Sequence, residues 1–164
     1  MGWKGMAIGG YLGSLFGGPL GAIIGAVLGH KVEGAAFGGK GRRVPYSSVP
    51  PRERANLFLA SAAAMLAKMA KADGVVTDAE IAGVERAFRR LGFTPAARRY
   101  AIDVFRKAKD DRHTIYEYAQ DFAAAVDSVE VRELFYEILW DVAGADGTVG
   151  RAELLILQRI PRAL

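Results

Sequence analysis

Cysteine is missing from the 164 residues, so disulfides and thiolate-bound metal are excluded outright. Histidine is nearly missing: only His30 and His113 occur. No H-E-x-x-H helix, nucleophile elbow or phosphate-cradling loop is present. Sustained period-two alternation is absent as well, which argues against strands and for an all-helical fold. From residue 53 to 160 the only proline is Pro95, and glycine is sparse, so long helices meet few breakers. These absences point away from an enzyme.

Glycine is instead concentrated at the front. Gly5, Gly9, Gly13, Gly17, Gly21, Gly25 and Gly29 recur at every fourth position, with no ionisable side chain between Lys4 and His30. The gaps hold apolar residues, among them Ile8, Phe16, Leu20, Ile23 and Val27. About 18 such residues make a candidate membrane span, and 25 helical residues reach roughly 37 Å. Small-xxx-small spacing marks helix–helix contact in lipid, so this glycine zipper is expected to self-associate into a homo-oligomer. No strand precedes the row, so it is not a dinucleotide fingerprint. A flexible linker would carry more polar residues, and a removable signal peptide has no use for glycines in register. Gly17-Gly18-Pro19 interrupts the stretch. Proline removes an intrahelical hydrogen bond, leaving a kinked span and a helical hairpin both open.

The net charge of +4 and the pI near 9.5 suggest nucleic acid until the charge is located. Residues 31–56 hold six basic side chains against Glu33 and Glu53, whereas residues 57–164 hold 15 basic and 16 acidic ones. The excess therefore follows the apolar stretch directly. Basic flanks mark the cytoplasmic side of a span and attract anionic headgroups, so Lys31, Lys40, Arg42 and Arg43 are expected to meet lipid. The topology expected is an inner (cytoplasmic) membrane protein with a single N-terminal anchor and a cytoplasmic C-terminal domain. No basic face or aromatic platform for nucleic acid is evident.

Three regions follow: an anchor over 1–30, a basic Gly/Pro linker over 31–52, and a helical domain over 53–164. Helices are expected from 52 to 72, after Thr77 to about 91, from Pro95 to about 109, after Thr114 to about 126, after Ser128, and from 151 to about 160. Thr77-x-x-Glu80 and Thr114-x-x-Glu117 are capping boxes, and Thr94-Pro95 places an N-cap before a first-turn proline. Phe135, Tyr136 and Trp140 form a helical stripe suited to a core or an interface. His113, in a charged loop, reads as a solvated residue.

The helical array contains a repeat. Ala72-Asp73-Gly74-Val75-Val76-Thr77-Asp78-Ala79-Glu80-Ile81 matches Ala145-Asp146-Gly147-Thr148-Val149-Gly150-Arg151-Ala152-Glu153-Leu154. Such helix–loop–helix units commonly pack as pairs. Asp73, Glu80, Asp146 and Glu153 would then converge, and a divalent cation (calcium or similar) relieves such crowding. The pattern D-G-x-V-x-x-x-E equals the second half of an EF-hand loop. Met69 and Lys71 in one copy, and Val142 and Gly144 in the other, occupy the ligand positions of the missing half. Only a site shared between the copies survives. The alternative is loop architecture: glycine supplies a left-handed helix terminator and Glu80 completes a cap.

At these residues the chain resembles a family. Residues 62–74, the later Asp78-Ala79-Glu80 and the second Ala145-Asp146-Gly147 are similar to the TerB tellurite-resistance fold. Gly17-Gly18-Pro19-Leu20-Gly21-Ala22 and Leu28-Gly29-His30 resemble the membrane anchor of DjlA-type co-chaperones, which join it to a TerB-like domain and a J domain. The resemblance implies a TerB-like helical bundle on a dimerising anchor and a role in envelope, tellurite or metal stress. It also implies suspected metal binding at Asp73, Glu80, Asp146 and Glu153. No His-Pro-Asp tripeptide occurs in the 164 residues, so J-domain stimulation of an Hsp70 is not expected. Three readings remain: a membrane-tethered scaffold with an unknown protein partner, a divalent-metal-responsive sensor, and a co-chaperone relative without the J domain.

Overall fold

The computed structural model describes Ile23 together with residues 51–72, 74–90, 92–144 and 147–164. Among the described residues from Pro51 onward, six α-helices follow one another: α1 (Pro51–Ala72), α2 (Asp78–Arg90), α3 (Pro95–Ala108), α4 (Ile115–Ala125), α5 (Val129–Ala143) and α6 (Arg151–Leu157). A 3-10 turn at Ile160–Arg162 follows. No strand occurs among the described residues, and the architecture is an all-α bundle.

The element starts follow from local chemistry. Pro51 opens α1, where a helix has no use for the missing N–H. The Thr94 side chain accepts the Ala97 N–H ahead of Pro95. Thr114 and Glu117 cap α4 reciprocally, and the Ser128 hydroxyl accepts the Val131 N–H at the start of α5. Expected and observed boundaries agree within two residues except at the C-terminus. There the last helix stops at Leu157 and Pro161 sits inside the 3-10 turn.

Helix α1 is the central element. From Leu57 to Ala67 every residue except the half-buried Phe58 is buried. A helix apolar on all sides must be surrounded by protein or lipid. Here protein surrounds it. Helix α3 makes the broadest contact with α1, and α4, α5 and α6 also touch it. Ala60, Ala63, Ala64 and Ala67 are fully enclosed, as are Ala101 and Ala108 on α3, so small side chains allow close approach. The buried Ser61 hydroxyl is satisfied by the Leu57 carbonyl at 2.8 Å. Phe122 of α4 stacks on Phe135 of α5 at 3.9 Å between centroids, and Phe58 meets both edge-on. Helix α2 lies outside this centre, packed on α3 and α5.

The membrane expectation is corrected here. Among the described residues no helix is long and apolar enough to cross a membrane. The longest, α1, carries Arg54, Lys68 and Lys71, and its apolar surface is covered by its neighbours. Gly5, Gly9, Gly13, Gly17, Gly21, Gly25 and Gly29, like Lys31, Lys40, Arg42 and Arg43, lie outside the described residues. Ile23, described within that stretch, is helical and buried, and it belongs to the core cluster with the bundle residues. Lipid as a partner, self-association through a glycine zipper and an inner-membrane location are therefore withdrawn.

Candidate functional site

The two Asp-Gly loops are helix terminators. Gly74 has φ +131 and Gly147 φ +93, a region open to glycine and strained for other L-residues. The Gly74 N–H donates to the Lys71 carbonyl and the Gly147 N–H to the Gly144 carbonyl. Each loop then opens a helix with a glutamate at its third position. The Glu80 carboxylate accepts the Thr77 N–H at 2.6 Å and the Thr77 hydroxyl at 2.8 Å. The Glu153 carboxylate accepts the Gly150 N–H at 2.9 Å. Gly150 has no side-chain oxygen to return the bond, so the second copy keeps half of the reciprocal cap.

Glu80 and Glu153 do share one site. Both line a groove of about 560 Å³ between α2 and the α5–α6 connection, within the range of small-ligand and peptide sites. Its floor is Leu66, Met69 and Ala70 of α1 with Val142 and Ala143 of α5. Leu66, Met69 and Val142 are themselves buried. Along one wall, Ala79, Gly83, Arg86 and Arg90 recur at three- and four-residue spacing on a single face of α2. A Cβ built at Gly83 would meet, within 4 Å, the Arg86 guanidinium at 3.7 Å. The groove is open above that glycine.

The metal expectation is corrected at this point. Asp73 and Asp146 lie outside the described residues. Among the described residues no group of three or more His, Asp or Glu side chains is placed to hold a metal ion. Glu80 and Glu153 are engaged with backbone N–H groups. Metal binding is thus corrected for the described part of the site, where Glu80 and Glu153 serve as helix caps, and the part that rests on Asp73 and Asp146 lies outside the described residues.

A second polar cluster escaped the sequence reading. The Lys68 ammonium on α1 bonds the Asp111 carboxylate at 2.9 Å and the Asp111 carbonyl at 2.6 Å. His113 meets the same carboxylate twice: its backbone N–H donates at 2.9 Å to Oδ1, the oxygen that Lys68 also meets, and its ring Nδ1 meets Oδ2. Burial alone would raise the Asp111 pKa. The bonds from His113 and Lys68 outweigh it and hold the carboxyl below its ordinary value. The His113 ring lies edge-on to Tyr118, whose hydroxyl pKa is pushed up by burial and then by the Asp111 charge. His113 is thus a half-buried part of a latch holding the α3–α4 loop to α1. The two-residue Asp–His spacing carries a local signal, an aspartate bonding backbone two residues on. The partner Lys68 is 43 residues away and leaves no such trace.

The sequence profile described as "Tellurite resistance protein TerB" matches residues 59–164. Among curated proteins, the Co-chaperone protein DjlA of Photobacterium profundum is 33% identical over 98% of this chain and 60% of its own length. The Co-chaperone protein DjlA of Escherichia coli (strain K12) is 29% identical over 69% of this chain and 42% of its own length. That of Vibrio cholerae serotype O1 is 32% identical over 68% and 40% respectively. The chain thus spans less than two thirds of these relatives. No solved structure matches it. The profile covers most of the chain, from Leu59 within α1 to the C-terminal residue, including every residue that lines the groove, and the chain belongs to the TerB family.

Proposed function

We propose that this chain is a DjlA-type co-chaperone relative whose TerB-like bundle acts as a protein-interaction module, holding a polypeptide partner without chemistry of its own. In this reading the chain is not an enzyme, and the names of its relatives, a tellurite-resistance protein and co-chaperones, are not those of enzymes. The observation carrying the reading is the groove between α2 and the α5–α6 connection. It has an apolar floor, charged walls, and a base formed by the most deeply buried helix of the fold. Apolar concavities with a few placed polar groups are where proteins take ligands. Because the floor residues belong to the core, the groove is held open by the bundle rather than by mobile loops. The DjlA relatives supply the class of activity, as their name is that of co-chaperones.

The test is a chimera. The 164-residue chain replaces the matching segment of the Photobacterium profundum relative, and client refolding by that organism's chaperone system is measured. Retained co-chaperone activity is expected. A chimera that is fully helical by circular dichroism yet no more active than the relative with that segment deleted would overturn the reading.

A further inference from the structure

We infer that the groove takes a short apolar peptide segment of a protein partner, with a basic side chain at one end and an acidic one at the other. This rests on the interaction-module reading and adds the chemistry of the occupant. Helix α2 sets the polarity of the groove. Glu80 stands in its first turn and Arg86 and Arg90 stand in its second half, and all three border the groove. At 1.5 Å per residue, Glu80 and Arg86 are separated by about 9 Å along the axis, and Glu80 and Arg90 by about 15 Å. That span matches roughly four to five extended residues.

Glu85, the acidic neighbour of Arg86 in sequence, pairs instead with Arg89 at 3.5 Å on another face of α2. Glu80 uses one carboxylate oxygen, Oε2, for the Thr77 cap, and it keeps its negative charge when it does so. Glu153 lines the groove as well. Between the charges lie Ala79 and Gly83, the smallest side chains on the α2 wall, above Leu66, Met69 and Val142. Small residues on a wall let another backbone approach closely, and the buried floor accepts apolar side chains. A uniformly acidic or uniformly basic segment would set like charges against one another at one end of the groove. A segment carrying both signs meets complementary charge at each end.

The experiment uses the full chain and four fluorescein-labelled hexapeptides sharing one Leu/Ala centre, whose end charges lie about 16 Å apart when extended. Their ends carry Lys and Glu, Glu and Lys, Lys at both ends, or Glu at both ends. Anisotropy is expected to show one of the two mixed peptides binding tighter than both single-sign peptides, by about fivefold, as one partly exposed ion pair allows. Arg86→Glu is expected to move the preference to the peptide with Lys at both ends. Gly83→Leu fills the groove from an open position and is the better helix former. It is expected to weaken binding by about tenfold or more through steric exclusion, with an undiminished unfolding midpoint.

Equal binding of all four peptides, no binding at millimolar concentration, or binding indifferent to Gly83→Leu would overturn the assignment. Concentration-dependent dimerisation abolished by Gly83→Leu would place a second copy in the groove and overturn it too. A working chimera with failing peptides would sink this assignment alone. A failing chimera with selective peptide binding would sink the co-chaperone reading alone.

Discussion

Asp111 shows what one partly buried carboxylate does when its partners come from two directions. Its oxygens gather Lys68 from α1 and both the backbone and the ring of His113, which ties the α3–α4 loop to the central helix. Removing the charge leaves a Lys68 side chain that is only 10% exposed without its carboxylate. Hydrogen bonds to charged groups contribute about 1.5–3 kcal/mol, so Asp111→Asn is expected to lower urea-unfolding stability by about 2 kcal/mol at neutral pH. The folded-state pKa lies below 3.8. Its stabilisation is therefore complete above the unfolded value and is lost as pH falls through the folded one. The stability gap between wild type and Asp111→Asn should hold from neutrality down to about pH 5 and close below about pH 4. A gap independent of pH down to acid denaturation would show that packing, not the ionised carboxylate, sets the latch. The Asp–His half of this latch leaves a local trace, a side-chain-to-backbone bond two residues on, which the reading of His113 as a solvated residue missed. The Lys68 half leaves none.

The caps govern the elements. Thr77 and Thr114 each exchange bonds with a glutamate three residues on, and the Thr114 bonds hold Glu117 below its ordinary pKa. Thr77→Ala and Thr114→Ala are each expected to cost about 1 kcal/mol by chemical denaturation. Gly147→Ala forces a Cβ into φ +93 and is expected to cost about 1–2 kcal/mol, although nothing lies within 4 Å of that position. Conformation alone would account for that loss. A silent Gly147→Ala would mean that the loop relaxes to negative φ. Helix starts were readable because Thr77-x-x-Glu80, Thr94-Pro95, Thr114-x-x-Glu117 and Ser128 satisfy orphan N–H groups within one turn. The C-terminal end is different. The sequence points to Pro161 as the stop of α6, but α6 ends at Leu157 and the proline falls in the 3-10 turn.

Across the whole molecule, the core is an alanine-rich helix enclosed by its neighbours and closed by the Phe58, Phe122 and Phe135 cluster. Phe122→Ala opens a cavity beneath that stack and is expected to cost about 3–5 kcal/mol, seen as a lower urea midpoint at unchanged m-value. Addition of calcium, magnesium, zinc or manganese, or of a chelator, is expected to leave the thermal midpoint of the full chain unchanged. A ligand at 100 times its Kd would raise stability by about 2.7 kcal/mol, so a metal site would be plain to see. By itself the sequence determined the helical class, the helix starts, the repeat and the terminating glycines. Each of these is decided by chemistry within one turn of chain or by the period of the apolar residues. Only the tertiary structure decided that α1 is enclosed by protein, that Lys68 reaches Asp111, and that Glu80 and Glu153 border one groove as caps. Those outcomes depend on which elements pack together across tens of residues. The same apolar and acidic patterns are compatible with a lipid-facing helix or a metal cage until neighbouring helices and backbone N–H groups take up those surfaces.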